Sequence, residues 1–135
     1  MSDGLRRRPI NPWTWSRRFG FDQAQLVEGN TRVLICSGQT SVDENCVPQH
    51  PGDMAAQLAL ALDNIEAVLA DADMDLSNVT RLDVYTTDVE AYFDNIEVVL
   101  TRIERAGVRC SSTLLGVSKL AFPELLVELQ INAVA

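Results

Sequence analysis

Two stretches of the chain alternate apolar and polar residues with the two-residue period of a β-strand. Residues 79–86 alternate around Leu82 and Val84, and residues 126–134 continue the pattern without a break. Residues 113–117 form a shorter run of the same kind. The pattern therefore predicts three strands in the second half of the chain. The apolar positions of the last strand are Val127, Leu129, Ile131 and Ala133.

Two other stretches repeat apolar residues every three or four positions, which is typical of an amphipathic helix. We expect a helix over residues 54–72, with Asp53 as its N-cap. A second helix is expected over residues 89–106, with Gly107 just beyond its end. The buried stripe of the first helix is Leu58, Ala61, Leu62, Ile65, Val68, Leu69 and Ala72.

The first third of the chain predicts a β-hairpin preceded by an arm. Residues 21–27 and 31–37 are short apolar-rich runs on either side of Gly29-Asn30, which favours a tight turn. Residues 1–18 are expected to be an irregular N-terminal arm, anchored by Trp13 and Trp15. Residues 19–135 are expected to form one domain, since nothing in them resembles a linker or a repeat.

This order of elements predicts an α+β fold, a two-layer sandwich of a mixed sheet with both helices on one face. The strands also carry large side chains on the other face, such as Tyr85 and Leu115. Burying that second face requires another protein surface, and a further copy of the chain would provide it.

Composition narrows the functional classes. The chain has 135 residues, 47% of them hydrophobic, yet no apolar stretch approaches the length needed to cross a bilayer. A net charge of −8 disfavours nucleic-acid binding, which depends on Lys and Arg contacts to phosphate. Cys36, Cys46 and Cys110 lack a zinc-like spacing, and His50 is the single histidine. We therefore expect no metal, and reduced thiols in a cytoplasmic protein.

Four segments resemble, in order, the motifs of the YjgF/RidA family, also called the endoribonuclease L-PSP family. The resemblance covers roughly residues 19–135. The segments are VLICSGQ at 33–39, QLALALDNI at 57–65, VYTTD at 84–88 and VEL at 127–129.

The resemblance implies a chorismate-mutase-like fold in which three subunits close their sheets into a central barrel, with a cleft between each pair of neighbours. It also implies hydrolysis of enamines and imines to 2-keto acids and ammonia, without metal or cofactor. The expected partners are two further copies of the chain and a small-molecule substrate, with neither nucleic acid nor membrane.

Glu128 matches the acidic residue of the family and is the expected catalytic acid/base. Carboxylates in half-dry clefts have raised pKa values, which suits proton transfer near neutral pH. Ser37 and Gly38 match the segment expected to hold a substrate carbonyl or carboxylate. The arginine that binds the substrate carboxylate in the deaminases is replaced here by Ser112. Loss of this bidentate anchor puts imino-acid deamination in doubt.

Four further residues complete the expected substrate site. Thr113 follows Ser112 on the same predicted strand, and Arg109 lies three residues before Ser112, with a surface position as the alternative. Phe21 aligns with a family tyrosine and keeps the ring without the hydroxyl. Asn95 aligns approximately with a family asparagine, with an exposed helix position as the alternative.

The sequence leaves three functions open. The first is a cofactor-free hydrolase of the imine or enamine deaminase type, acting on a small metabolite between subunits. The second is a non-catalytic trimer that binds a small metabolite or regulates a partner. The third, endoribonuclease action, is disfavoured by the net charge of −8.

Overall fold

A computed structural model describes residues 4–135 of the chain. Its α-helices are α1 (Met54–Asp71), α2 (Val89–Asp94) and α3 (Glu97–Arg105). A short 3₁₀ helix covers Trp15–Phe19. The strands are β1 (Arg6–Ile10), β2 (Phe21–Asp22), β3 (Ala24–Glu28), β4 (Val33–Ile35), β5 (Gln39–Thr40), β6 (Val79–Thr86), β7 (Cys110–Gly116) and β8 (Val127–Val134).

The main sheet is mixed and has the strand order β2-β7-β6-β8-β4. Strand β6 lies at its centre, parallel to β7 and antiparallel to β8. The short β5 also pairs with β8, so β4 and β5 share one edge of the sheet. Strand β2, parallel to β7, forms the other edge.

One face of this sheet is covered by helices and holds the core. Leu82 and Val84 of β6 and Leu129 of β8 are buried there. They pack with the apolar stripe of α1, in which Leu58 and Ile65 have no exposed surface. Asp53 caps α1 by accepting a hydrogen bond from the backbone N–H of Ala56 at 3.0 Å.

The opposite face carries no helix in residues 4–135 and is open. Arg81, Asp83 and Tyr85 alternate with the core residues of β6 and point to this side. The apolar residues on it remain exposed: Leu115 is 49% exposed and Ile35 is 78% exposed. The α+β, two-layer fold predicted from the sequence is confirmed.

The N-terminal region differs from the irregular arm that the sequence predicts. Strand β1 pairs antiparallel with β3, so that Arg7 lies opposite Val27. The Arg7 guanidinium donates to the backbone oxygens of Ser77 and Val79, both at 2.6 Å, and to Gln25 Oε1 at 2.9 Å. These contacts fix the region to the domain. Residues 1–3 of the predicted arm lie outside the described residues, and the division at residue 19 stays a prediction.

The predicted hairpin is also wrong in its pairing. Gly29 does form the expected turn, with a φ of 74°. However, β3 pairs with β1, whereas β4 leaves the turn to pair with β8. The two strands that flank the turn therefore belong to different sheets.

The second predicted helix is divided in two. Helix α2 ends at Asp94 and α3 begins at Glu97. Asn95 lies at the break, and its side-chain amide donates to the carbonyl of Ala91 at 2.8 Å. No helix in residues 4–135 is long and apolar enough to cross a membrane.

Candidate functional site

Glu128 lies on β8 and points to the open face of the sheet. Its neighbours Val127 and Leu129 are fully buried on the other side, while Glu128 itself is partly exposed. Its register partner on β6 is Tyr85, whose hydroxyl is 3.2 Å from Gln130 Oε1. Among residues 4–135, no hydrogen bond or ion pair reaches the Glu128 carboxylate. The carboxylate is therefore available to an incoming group.

A shallow cleft of about 420 Å³ surrounds this carboxylate. Lys119 stands at its wall and provides the cation of the cleft. Lys119 is not among the residues predicted from the sequence, because nothing in the sequence indicates that the loop after β7 lies beside β8. The other lining residues are Tyr85, Val117, Leu120, Ala121, Glu128 and Gln130.

Gly38 lies directly against Glu128. A Cβ at position 38 would come within 2.1 Å of Glu128 Oε2, which is closer than any real contact. With glycine at this position, the backbone between β4 and β5 approaches the carboxylate without displacing it, whereas a larger residue would push the flexible carboxylate aside. Ser37, the preceding residue, is exposed, and its carbonyl accepts a hydrogen bond from the Gln39 amide at 3.5 Å. The structure thus brings Ser37, Gly38 and Glu128 together.

Phe21 and Ser112 lie together in a different place, an aromatic pocket of about 230 Å³. The pocket lies between the helix-covered side of the sheet, helix α2 and the 3₁₀ helix. Its rings contact one another: Trp15 meets Phe21 edge-on at 6.0 Å between centroids, and Phe19 lies 6.2 Å from Phe93. The full lining is Trp15, Phe19, Phe21, Val84, Tyr92, Phe93, Ile96, Ser112 and Leu114.

Most of these aromatic residues were not predicted as site residues from the sequence. Trp15 was expected only to anchor the arm, and Tyr92 lies within the second predicted helix, to which only Asn95 was assigned a site role. The sequence does show that aromatic residues are concentrated in segments 13–21 and 92–93. It does not show that these two segments lie next to each other in the fold.

Ser112 and Glu128 are on opposite sides of the sheet within one chain. Ser112 pairs in register with the buried Leu82, while Glu128 pairs with the outward-facing Tyr85. Strand β6 also separates the two strands that carry them. A small molecule cannot contact both side chains in the same subunit.

The other expected site residues are more dispersed. Thr113 lies on the open face, where its hydroxyl accepts from the Arg81 guanidinium at 2.5 Å. Arg109 is an ion-pair partner of the buried Asp22, at 3.8 Å. Asn95 is held by its bond to Ala91 at the helix break. Arg109 and Asn95 therefore have structural partners in this chain, and neither lines a pocket described above.

The buried thiols are unsuited to nucleophilic chemistry. Burial raises the pKa of Cys110 to about 12, so the group stays a neutral thiol at physiological pH. Burial also raises the pKa of Cys36. Throughout residues 4–135, no cluster of His, Cys, Asp or Glu has the arrangement of a metal site.

The fold defines a class: a small α+β domain that has an exposed sheet face and carries the candidate residues in two separate groups. The model of the endoribonuclease L-PSP family matches residues 21–135. The chain belongs to this family, which is also known as the YjgF or Rid family.

Solved structures agree with this assignment. The Rid-family protein YyfB from Yersinia pestis is 30% identical and superposes with a TM-score of 0.85, over 96% of this chain and 98% of that one. A protein of unknown function from Pseudomonas aeruginosa is 27% identical, with a TM-score of 0.66 over 96% and 93%. The protein DfrA of Myxococcus xanthus is 32% identical over 69 residues, or 51% of this chain. That match spans about half, 52%, of the length of DfrA.

Proposed function

We propose that the protein is a homotrimer that hydrolyses a small imine or enamine in clefts between its subunits, without metal or cofactor. Three copies joined edge to edge would turn their open faces inward into a barrel. This arrangement would bury the exposed Ile35, Val33 and Leu115. The partners are thus two further copies and a small molecule.

The positions of the two groups of residues support a cleft shared by neighbours. Strand β2, which carries Phe21, forms one edge of the sheet, and Ser112 lies on the adjoining β7. Ser37 and Gly38 lie between β4 and β5 at the opposite edge, next to Glu128. In a cyclic trimer each interface joins unlike edges. The aromatic pocket of one copy would then adjoin the Glu128 of the next.

The proposed reaction is addition of water across a C=N bond. The imine would enter protonated at nitrogen, and Glu128 would take a proton from water while the oxygen attacks the carbon, giving a neutral carbinolamine. Glu128 would then return this proton to the nitrogen. The C–N bond breaks and the C=O bond forms as ammonia leaves, and Glu128 takes up the hydroxyl proton and passes it to solvent. An enamine enters the same route after protonation at carbon. General acid/base catalysis of this kind contributes roughly 10²–10⁴-fold.

The observation that carries the proposal is the contact of Gly38 with the Glu128 carboxylate. A partly exposed carboxylate without a protein partner in residues 4–135, approached closely by the backbone of Gly38, is free to contact a substrate.

The test is release of ammonia and carbonyl product from a freshly generated imine, measured for 2-aminoacrylate and for a neutral aromatic imine. Glu128→Gln should lower the rate by about 10²–10⁴-fold. Glu90→Gln, which changes an exposed acid on α2, serves as the matched control. Rates no greater than those without protein, for both substrates, would exclude the hydrolase.

A second candidate, a trimer that binds a metabolite without turnover, is favoured by one observation. No cationic side chain lines the aromatic pocket, so the carboxylate anchor of the deaminases is missing. This alternative predicts saturable ligand binding that survives Glu128→Gln, with no product released.

Ribonuclease activity and location are secondary proposals. The net charge of −8 and a single histidine place RNA cleavage last. We place the protein in the cytoplasm because Cys36, Cys46 and Cys110 are unpaired thiols.

A further inference from the structure

We infer that the aromatic pocket selects an uncharged ligand with a single aromatic ring, held by ring contacts and by one hydrogen bond to Ser112. The inference rests on the proposed function, because it names the substrate class of the same cleft. It concerns the ligand and not the reaction, so binding tests it separately.

The charge of the pocket excludes an anionic ligand. Its lining contains no Asp, Glu, Lys, Arg or His among the described residues, and its side-chain polar groups are the hydroxyls of Ser112 and Tyr92 and the indole N–H of Trp15. Burial raises the pKa of Tyr92 to about 12, so the phenol stays neutral at physiological pH. A carboxylate entering this pocket would lose hydration without gaining a cation from the lining, since the Arg18 guanidinium over the Phe19 ring is not one of the lining groups.

A cationic ligand is also disfavoured. Aromatic cages often bind ammonium groups through the negative faces of their rings. Here the face of Phe19 is already occupied by the Arg18 guanidinium, 4.7 Å from the ring centroid. A second cation behind this ring would meet the positive charge of Arg18.

The size and shape of the pocket indicate one ring. A cavity of about 150 Å³ accommodates benzene, so the 230 Å³ found here would hold roughly ten non-hydrogen atoms. Phe21 stacks on Phe19 at 6.5 Å and meets Trp15 edge-on, which gives two ring orientations for a planar ligand. Ser112 lies on the sheet side of the pocket and can bond the polar end of the ligand.

A matched pair of probes tests this selectivity. Phenylacetamide and phenylacetate have nearly the same shape and differ in charge. Calorimetric titration of the full chain should give saturable binding of phenylacetamide, about tenfold or more tighter than phenylacetate. Trp15→Ala should weaken phenylacetamide binding, while Trp13→Ala, which changes a ring outside the pocket, should leave it unchanged.

A variant that is expected to gain binding completes the test, because misfolding can abolish binding but cannot produce it. Ser112→Arg introduces the missing cation, and we expect it to reverse the preference so that phenylacetate binds more tightly. Circular dichroism and light scattering establish that each variant keeps its fold and assembly. Phenyltrimethylammonium, which joins a positive charge to the same ring, tests whether the pocket prefers a cation.

Three results would overturn the inference: no binding of phenylacetamide, equal binding of phenylacetate, or tighter binding of phenyltrimethylammonium. Failure of the proposed hydrolysis gives a different result. In that case phenylacetamide binds the unmodified protein and Glu128→Gln alike, and no imine is hydrolysed. Hydrolysis without phenylacetamide binding would uphold the reaction and refute the ligand class.

Discussion

At the scale of single residues, Gly38 is the most informative position in the chain. Gly38→Ala places a methyl group 2.1 Å from Glu128 Oε2, so the flexible carboxylate must move away. We expect turnover to fall by about tenfold or more, while the free energy of unfolding changes little because no backbone has to shift. Steady-state kinetics and urea unfolding measure the two effects.

Gly107→Ala provides the opposite control. Gly107 has a φ of 71°, and a Cβ there would meet nothing within 4 Å. The substitution should lower the free energy of unfolding by about 1 kcal/mol through backbone strain alone, with turnover unchanged. If Gly38→Ala proved as harmless to activity as Gly107→Ala, the role of Glu128 would be refuted.

The cysteines give a prediction that depends on pH. Because the pKa of Cys110 is about 12, this thiol stays protonated and unreactive as the pH rises from 7 to about 10. Cys46 is exposed, whereas Cys36 and Cys110 are buried. A disulfide reagent should therefore titrate one thiol per native chain and all three after denaturation. Native reaction of Cys110 below pH 10 would contradict the burial.

The sequence could indicate candidate site residues one by one but not their arrangement. Local motifs and strand alternation indicated Glu128 and Gly38, and the alternation placed Glu128 on the open face. The separation of Ser112 from Glu128 depends on how β6 pairs with both β7 and β8. That register is set by contacts between distant parts of the chain, and no local pattern encodes it.

At the scale of elements, β1 depends on the contacts of one arginine. Arg7→Gln removes the donors to the backbone oxygens of Ser77 and Val79 and should destabilise the fold by about 1–3 kcal/mol. Arg8→Gln is the matched control, because Arg8 is exposed on the same strand. Chemical unfolding of both variants measures the difference. Equal stability of the two would show that β1 contributes little to the domain.

The elements that were mispredicted share a cause. In the sequence, the basic residues of β1 resemble a solvated tail. In the structure, β1 pairs with β3, and Arg7 donates to the backbone oxygen of Val79 at the start of β6. Because β3 pairs with β1 and β4 pairs with β8, β3 and β4 do not form a hairpin, although Gly29 forms the expected turn between them. Helix α1 and strands β6 and β8 were predicted correctly because each repeats its pattern over many residues. The break at Asn95 interrupts an apolar stripe that continues across it.

At the scale of the whole molecule, we expect the open sheet face to drive the proposed assembly of three chains. Light scattering should give a mass three times the chain mass of 14.9 kDa. Ile35→Glu places a charge on the open face, where Ile35 is 78% exposed in the single chain, and should shift the mass toward that of one chain. Val47→Glu, in the loop between β5 and α1, should leave the mass unchanged. A monomer at micromolar concentration would refute the trimer.

The placement of Ser112 and Glu128 on opposite sides of the sheet has a genetic consequence. If each reaction chamber takes the aromatic pocket from one subunit and Glu128 from the next, two inactive variants should restore activity when their subunits assemble together. Subunits carrying Ser112→Trp supply an intact Glu128, and subunits carrying Glu128→Gln supply an intact pocket. Randomly mixed in equal amounts, they should recover about a quarter of the normal chambers. Such complementation between alleles would be unattainable for an enzyme whose chamber lies within a single chain.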